Sequence, residues 1–96
     1  YALVPMLSFK SFDEVIERAN NNDLGLCSYI CTNSMEKAHR ASELMETGTV
    51  AVNTPLVAIA EAPFGGIKQT GYGREGGSMA IKDYLNVKYT HLGLKG

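Results

Sequence analysis

The sequence predicts an α/β fold, in which a βαβαβ fragment of a parallel sheet is followed by a Gly/Pro-rich loop, a short helix and a terminal edge strand. Short apolar runs alternate with amphipathic helical patterns along the first half of the chain, and this alternation is typical of parallel sheets. Turn-forming residues then exclude long regular elements between residues 54 and 75. A final run of alternating apolar residues indicates a strand near the end of the chain.

Composition and charge limit the chain to one globular unit. The 96 residues are 45% hydrophobic and include nine basic and ten acidic side chains, for a formal net charge of -1. These charges form no runs, so we expect neither nucleic acid nor a membrane surface as a partner. No apolar stretch approaches the roughly 20 residues that span a bilayer, and no signal-type segment is recognised. The composition therefore favours a cytoplasmic protein.

The first predicted elements are a strand over residues 3–9 and a helix that begins after Ser11. Ser11 and Glu14 form a capping box, in which the hydroxyl and the carboxylate accept hydrogen bonds from amides at the start of a helix. The apolar residues that follow recur at helical spacing, and a run of poor helix formers over residues 20–23 ends the pattern. We therefore predict an amphipathic helix of about three turns.

Two more strands and a second helix are predicted next: a strand over residues 26–32, a helix from Asn33 or Ser34 to Glu46, and a strand over residues 49–53. The first of these strands has apolar residues on both faces, and parallel sheets are usually covered on both faces. Two helices of this length cannot cover both faces of three strands. We therefore expect a fragment of a larger subunit, or a subunit that is completed by association.

The two cysteines, Cys27 and Cys31, are predicted to be buried, reduced thiols. On a strand they would lie on the same face about 13 Å apart, at a rise of about 3.3 Å per residue, which is too far for a disulfide. Neither has a neighbouring His or Lys that would activate it, so they are not interpreted as nucleophiles. His39 and His91 lie at no recognised ligand spacing, and no metal site is predicted.

The stretch over residues 54–75 is interpreted as a functional loop. It is rich in glycine and proline, yet it contains too many apolar residues for a simple solvated connection. Long loops in compact domains are usually functional or disordered. Residues 78–85 follow as a short helix, and residues 87–92 as a terminal strand. Such a strand either closes the local sheet or forms an edge for another subunit, and the sequence leaves both open.

The segment Gly71–Gly76 satisfies the pattern G-x-G-x-x-G and precedes a predicted helix. A dinucleotide-binding fingerprint should follow directly on a strand and have an acidic residue about 20 positions later. Neither condition is met, because the corresponding later position is Gly96, the last residue. These glycines are therefore interpreted as tight turns.

The run from Glu61 to Gly76 is very similar to the E-x-P-F-G-G-x-K-x-S-G-x-G-R-E-G stretch near the C-terminus of aldehyde dehydrogenases. Three further segments resemble patterns of that family: residues 22–26 its N-x-x-x-Y/F-G-L turn, residues 49–53 its G-x-V-x-V-N strand, and residues 84–89 its final Y-x-x-x-K segment. The resemblance therefore covers essentially the whole chain.

The resemblance implies that residues 1–86 are the C-terminal part of a catalytic domain and that residues 87–96 are an oligomerisation strand and tail. In the family, the nucleophilic cysteine, the general-base glutamate and the oxyanion-hole asparagine lie upstream, so no catalytic residue is assigned to this chain. The domain that binds NAD or NADP also lies upstream. The strand over residues 87–92 would pair with another subunit, which makes the parent enzyme a homo-oligomer, either a dimer or a tetramer.

The resemblance also assigns a substrate-binding role to the loop that leads to Phe64, since this loop lines the substrate tunnel in the family. Phe64 is the first candidate, because an aromatic wall would exclude water and orient the aldehyde. Plain core packing is the alternative role of this residue. Ala58 and Ile59 would form part of a variable rim that sets the choice of substrate.

The spacing between Asn53 and Pro63 resembles the succinic-semialdehyde and ketoglutaric-semialdehyde dehydrogenases. Members that bind succinate semialdehyde often have a serine near the positions of Ala58 and Ile59, and its absence here disfavours succinate semialdehyde itself. We therefore expect a small aldehyde or semialdehyde as the substrate of the intact enzyme, with the isolated chain inactive. The competing hypothesis is a stand-alone α/β interaction module without catalysis, which would form a discrete oligomer.

Overall fold

The computed structural model describes residues 3–95, and its regular elements lie between residues 12 and 84. In chain order they are helix α1 (Phe12–Asn20), strands β1 (Leu24–Gly25) and β2 (Cys27–Ile30), helix α2 (Met35–Leu44), strands β3 (Thr49–Val52) and β4 (Ile67–Lys68), and a 3₁₀ helix (Ala80–Tyr84). The chain is α/β, as the sequence predicts. The strands, however, form two small sheets instead of one.

Both α-helices begin at a serine cap. The Ser11 Oγ accepts a hydrogen bond of 3.2 Å from the backbone N–H of Glu14, and the Ser34 Oγ accepts one of 3.2 Å from that of Lys37. The Glu14 carboxylate accepts from the backbone N–H of Lys10 at 2.8 Å, one residue before the position that a capping box uses. The predicted helix starts are confirmed, because the two serine hydroxyls accept from first-turn amides, but the Glu14 half of the predicted capping box is not formed.

Strands β2 and β3 are parallel and are connected through α2, with Cys27 opposite Thr49 at the start of the pairing. This is the part of the predicted parallel sheet that the structure confirms. The buried apolar side chains of residues 3–95 are all small: Ala38 and Ala41 on α2 and Ala51 on β3. The core is therefore centred on α2 and β3, and it contains little apolar volume.

Strands β1 and β4 form a second sheet that the sequence did not predict. They are antiparallel, with Leu24 opposite Lys68 and Gly25 opposite Ile67. The backbone N–H of Gly25 also donates to the Thr70 Oγ1 at 2.7 Å. The prediction of one parallel βαβαβ sheet is therefore wrong, because part of the Gly/Pro-rich loop returns to the turn after α1 and pairs with it. Strands of two residues give no periodic signal in a sequence.

The strand predicted over residues 3–9 is wrong, and residues 87–92 form no strand within this chain, while their pairing with another subunit stays a prediction. Residues 3–9 and 87–92 belong to no strand and are exposed, because the strands of residues 3–95 pair with one another and leave these segments without a partner. The helix predicted over residues 78–85 is the shorter 3₁₀ helix. The outer limits of the proposed division into residues 1–86 and 87–96 lie outside the described residues.

Many large apolar side chains of residues 3–95 are exposed, including Leu7 at 78% and Tyr89 at 83%. The Cα radius of gyration is 19.2 Å, whereas a compact domain of this size has about 13 Å. On β2, Tyr29 is 59% exposed, which agrees with the expectation that the two helices do not cover both faces of the strands. Within residues 3–95, no helix combines the length and the apolar character that a membrane crossing requires.

Gly48 provides a test of the packing between the two sheets, since a Cβ at this position would overlap the backbone carbonyl of Gly65. We expect Gly48→Ala to lower the free energy of unfolding by about 2 kcal/mol or more, because the backbone would have to move. The matched control is Gly93→Ala, whose Cβ meets no atom within 4 Å and should change stability by less than about 0.5 kcal/mol. Urea unfolding of the protein that carries this chain measures both, and equal losses would contradict the close approach.

Candidate functional site

Phe64, the first candidate from the sequence, has its backbone held by a two-way bridge to Glu75. The N–H of Phe64 donates to the carbonyl of Glu75 at 2.7 Å, and the N–H of Glu75 donates to the carbonyl of Phe64 at 2.7 Å. Phe64 itself is half-buried. These two hydrogen bonds define the backbone at Phe64 in a part of the chain that has few regular elements.

Arg74 closes the turn between the two bridge partners. Its Nη1 donates to the carbonyl of Gly66 at 2.9 Å and to that of Gly73 at 2.7 Å. Its backbone N–H donates to the Asp83 Oδ2 at 2.9 Å. Hydrogen bonds that involve an ionised partner are stronger than neutral ones. Arg74 therefore ties the segment after Phe64 both to itself and to the 3₁₀ helix.

The glycines of the G-x-G-x-x-G pattern form turns, which confirms their interpretation. Gly71, Gly73 and Gly76 have φ values of 121°, 85° and 68°, and Gly77 has 64°. A side chain disfavours these conformations, whereas glycine adopts them readily. The pattern therefore serves the path of the backbone around Phe64.

The predicted rim residues Ala58 and Ile59 are exposed, with Ile59 at 61%. The backbone next to them is bound to the second half of the loop, because the N–H of Gly77 donates to the carbonyl of Ala60 at 2.8 Å. A Cβ at Gly76 would lie 2.7 Å from the Ala62 carbonyl oxygen. The rim and Phe64 thus belong to one hydrogen-bonded segment, residues 58–77, which we call the loop unit.

A polar anchor, formed by Asn20, Glu46 and Lys68, holds the loop unit to the helix ends. The Lys68 Nζ lies 2.9 Å from the carbonyl oxygen of Asn20, 3.2 Å from that of Asn22 and 2.5 Å from the Glu46 Oε2. The Asn20 side chain donates to the Leu44 carbonyl at 2.8 Å and accepts from the N–H of Glu46 at 2.9 Å. The sequence reasoning missed this anchor, because a polar run after a helix indicates only that the helix ends.

The cysteines lie away from the loop unit, on and beside β2. Neither forms a disulfide within the described residues, and Cys27 is half-buried and Cys31 is exposed, so the prediction of burial is wrong. The Cys27 side chain raises the pKa of Tyr29 above its ordinary value, first through a hydrogen bond and then through a charge interaction. Among residues 3–95, no group of three or more His, Cys, Asp or Glu residues could hold a metal ion.

A cavity of about 310 Å³ lies on one side of Phe64, where Arg74, Asp83 and Tyr84 contribute to its wall. A second, apolar groove of about 520 Å³ lies between α1 and β2, and Phe12 and Tyr29 are among its lining residues. Phe64 therefore borders an open space of the size of a small ligand, while the larger groove lies outside the loop unit.

Comparison with known proteins identifies the class to which this arrangement belongs. The family model described as "Aldehyde dehydrogenase family" matches residues 2–90. This chain therefore belongs to the aldehyde dehydrogenase family, and the predicted resemblance is confirmed.

The similar proteins include semialdehyde dehydrogenases. The chain is 48% identical over 91 residues to a 3-sulfolactaldehyde dehydrogenase of Pseudomonas putida, and 41% identical over 92 residues to a succinate-semialdehyde dehydrogenase [NADP(+)] of Escherichia coli. These matches cover 95% and 96% of this chain but only 19% of each relative. An aldehyde dehydrogenase of Bacillus cereus, in an NAD+ complex, matches with a TM-score of 0.82 at 45% identity, over 85% of this chain and 17% of that one. The chain thus spans about a fifth of the length of the curated relatives that it matches.

Proposed function

We propose that this chain is the C-terminal part of the catalytic domain of an NAD(P)-dependent aldehyde dehydrogenase, which oxidises an aldehyde or semialdehyde to a carboxylate. The family match over residues 2–90 is the observation that supports it most. In this proposal residues 1–86 belong to the catalytic domain and residues 87–96 form the oligomerisation strand and tail. The chain supplies one wall of the substrate tunnel and a subunit contact, while the nucleophile belongs to another part of the enzyme.

Phe64 is the tunnel wall in this proposal. Its backbone is held by the bridge to Glu75, so the aromatic ring starts from a defined position. A ring held beside the reacting aldehyde would exclude water and restrict the orientations of the substrate, which raises the fraction of bound aldehyde that is ready to react. Phe64 borders a cavity of about 310 Å³, which Ala58 and Ile59 do not line, so the proposed tunnel wall and rim rest on the loop unit and not on this cavity.

Ala58 and Ile59 form the rim that selects the substrate. Both are exposed on the loop unit, and neither offers a polar group to a distant carboxylate. A rim of this chemistry favours an aldehyde with an apolar or small far end. This preference supports a substrate other than succinate semialdehyde itself, within the broader class of small aldehydes and semialdehydes.

NAD or NADP would accept hydride from the substrate when bound to the enzyme. We assign no residue of this chain to the cofactor, since the glycines of residues 71–76 form turns and the nucleotide domain of the family lies upstream. Two similar proteins support either NAD or NADP as the cofactor, because the name of one includes NADP(+) and the structure of the other is an NAD+ complex.

The terminal segment is the proposed subunit contact. Val87 is 101% exposed, Tyr89 83% and Leu92 75%, so a row of apolar side chains is available for a partner. Pairing of residues 87–92 with a strand of another subunit would satisfy their backbone groups and cover these side chains. We therefore propose a homo-oligomer. The balance of nine basic and ten acidic side chains supports the further proposal of a cytoplasmic protein without nucleic acid or membrane as a partner.

The experiment that tests the proposal is an activity assay on the complete gene product that carries this chain. The assay follows NAD(P)H formation with a series of aldehydes and semialdehydes, with NAD and NADP in separate reactions. Cofactor-dependent oxidation by the gene product, together with an inactive 96-residue chain, is the expected result. A gene product without aldehyde oxidation that forms a discrete oligomer would overturn the proposal in favour of the stand-alone interaction module.

Phe64→Ala should lower kcat of the complete enzyme by about 10- to 100-fold, because the aldehyde would lose one wall of its site. Phe9→Ala is the matched control, since Phe9 is 57% exposed and lies outside the loop unit, and it should leave kcat unchanged. Steady-state kinetics with a substrate of the wild type measure both variants. Equal turnover of the Phe64 variant and the wild type would restrict this residue to packing.

Ile59→Ser should shift substrate preference towards succinate semialdehyde, because a hydroxyl at the rim can donate a hydrogen bond to the far carboxylate. We expect the ratio of kcat/KM for succinate semialdehyde to that for an apolar aldehyde of the same length to rise about 10-fold, which is the effect of one hydrogen bond to a charged group. Leu56→Ser introduces the same hydroxyl at a position that is 83% exposed and outside the rim, and it should leave the ratio unchanged. If both variants shift the ratio equally, Ile59 does not select the substrate.

A further inference from the structure

Lys68 occupies an unusual position for a lysine. Its φ of 57° lies in the left-handed region, which residues with a Cβ seldom adopt. Its side chain is only 25% exposed, and its ammonium contacts three oxygen atoms, the carbonyls of Asn20 and Asn22 and the carboxylate of Glu46. A lysine that served only solubility would extend into solvent. We infer that these three contacts stabilise the left-handed backbone conformation of Lys68, which is unfavourable by itself.

The helix end gives this ammonium a favourable electrostatic environment. Asn20 is the last residue of α1, so its carbonyl has no acceptor role within the helix, and the C-terminal end of a helix carries partial negative charge. The Asn20 side chain also binds the Leu44 carbonyl and the Glu46 amide at the end of α2. One cation thus connects the ends of both α-helices to β4.

The path from Lys68 to Phe64 is short and has little freedom to slide. Only Gly65, Gly66 and Ile67 separate them in the chain. A Cβ at Gly48 would overlap the carbonyl oxygen of Gly65, and the Gly66 carbonyl accepts a hydrogen bond from the Arg74 side chain. We therefore expect a displacement of β4 to reach Phe64 through this short stretch, which contacts the backbone at Gly48 and the side chain of Arg74.

We propose that Lys68 is a positioning residue for Phe64. The contacts of its ammonium with Asn20, Asn22 and Glu46 set the place of β4 relative to both helix ends, and β4 in turn sets the place of the aromatic ring relative to the substrate. This inference rests on the proposed function, since it matters for catalysis only if Phe64 contacts the aldehyde. Lys68 itself does not touch the substrate in this proposal.

The test compares Lys68→Met with the wild type in the complete gene product. Methionine retains much of the length of the side chain but removes the cation. We expect kcat/KM to fall about 10-fold for a bulky apolar aldehyde, which depends on contact with Phe64, and by less than about 3-fold for a small aliphatic aldehyde. Lys82→Met, at an exposed lysine of the 3₁₀ helix, is the matched control and should leave both values unchanged.

A double-mutant cycle with Phe64→Ala separates positioning from a general loss of structure. If Lys68 acts through Phe64, Lys68→Met should lower kcat/KM for the bulky aldehyde by less than about 2-fold in the Phe64→Ala background. Equal, additive effects in both backgrounds would overturn the inference. Glu46→Gln provides a second variant if Lys68→Met does not fold, because it removes the paired carboxylate and leaves the two carbonyl contacts of Lys68. Its effect on kcat/KM should also be smaller in the Phe64→Ala background than in the wild type.

The outcomes distinguish this inference from the proposed function. An unsubstituted gene product that does not oxidise aldehydes would overturn both. Aldehyde oxidation with additive effects of Lys68 and Phe64 would overturn only the role of Lys68. Aldehyde oxidation with the expected coupling would support both, and circular dichroism spectra of the variants that match the wild type at the assay temperature would exclude unfolding as the cause.

Discussion

The close approach of backbone segments at glycines is the constraint on which the rest of this structure depends. Gly48 lies against Gly65, and a Cβ at Gly25 would come within 2.7 Å of the Glu46 carbonyl oxygen. The N–H of Gly48 donates to the carbonyl of Gly25 at 3.0 Å, so the contact also contains a hydrogen bond. This junction joins the parallel pair β2 and β3 to the antiparallel pair β1 and β4.

Hydrogen bonds of polar side chains add to the limited stability that the small apolar core provides. The buried apolar side chains of residues 3–95 are alanines, each of which removes little apolar surface from water. Asn20 therefore has a large structural role, since its amide joins α1 to the end of α2. Asn53 does the same between strands, because its side chain accepts from the N–H of Thr32 at 3.0 Å and donates to the carbonyl of the same residue at 2.9 Å. Hydrogen bonds of these amides therefore supplement the small apolar core.

The loop unit keeps its shape without being buried in an apolar core. The loop unit gains its shape from the bridge between Phe64 and Glu75, the contacts of Arg74 and the turns of the glycines, none of which requires the unit to be buried. Its apolar side chains can therefore remain available for a ligand or for other parts of a larger protein. The exposed apolar residues at both ends of the described chain have the same availability. The chain belongs to the aldehyde dehydrogenase family, and in the proposed enzyme other parts of the protein would cover these surfaces.

The sequence by itself determined the elements whose signals are local, and the family to which the chain belongs. Helices α1 and α2 were predictable because Ser11 and Ser34 cap them and apolar residues recur at helical spacing. The Gly/Pro-rich run predicted turns, and its motif predicted the family. Only the tertiary structure decided that β1 and β4 pair, that Lys68 joins the helix ends, and that residues 3–9 stay outside the sheets. These features depend on which backbone groups meet across more than 40 positions of the chain, as in the pairing of Leu24 with Lys68, and a local pattern contains no information about such partners.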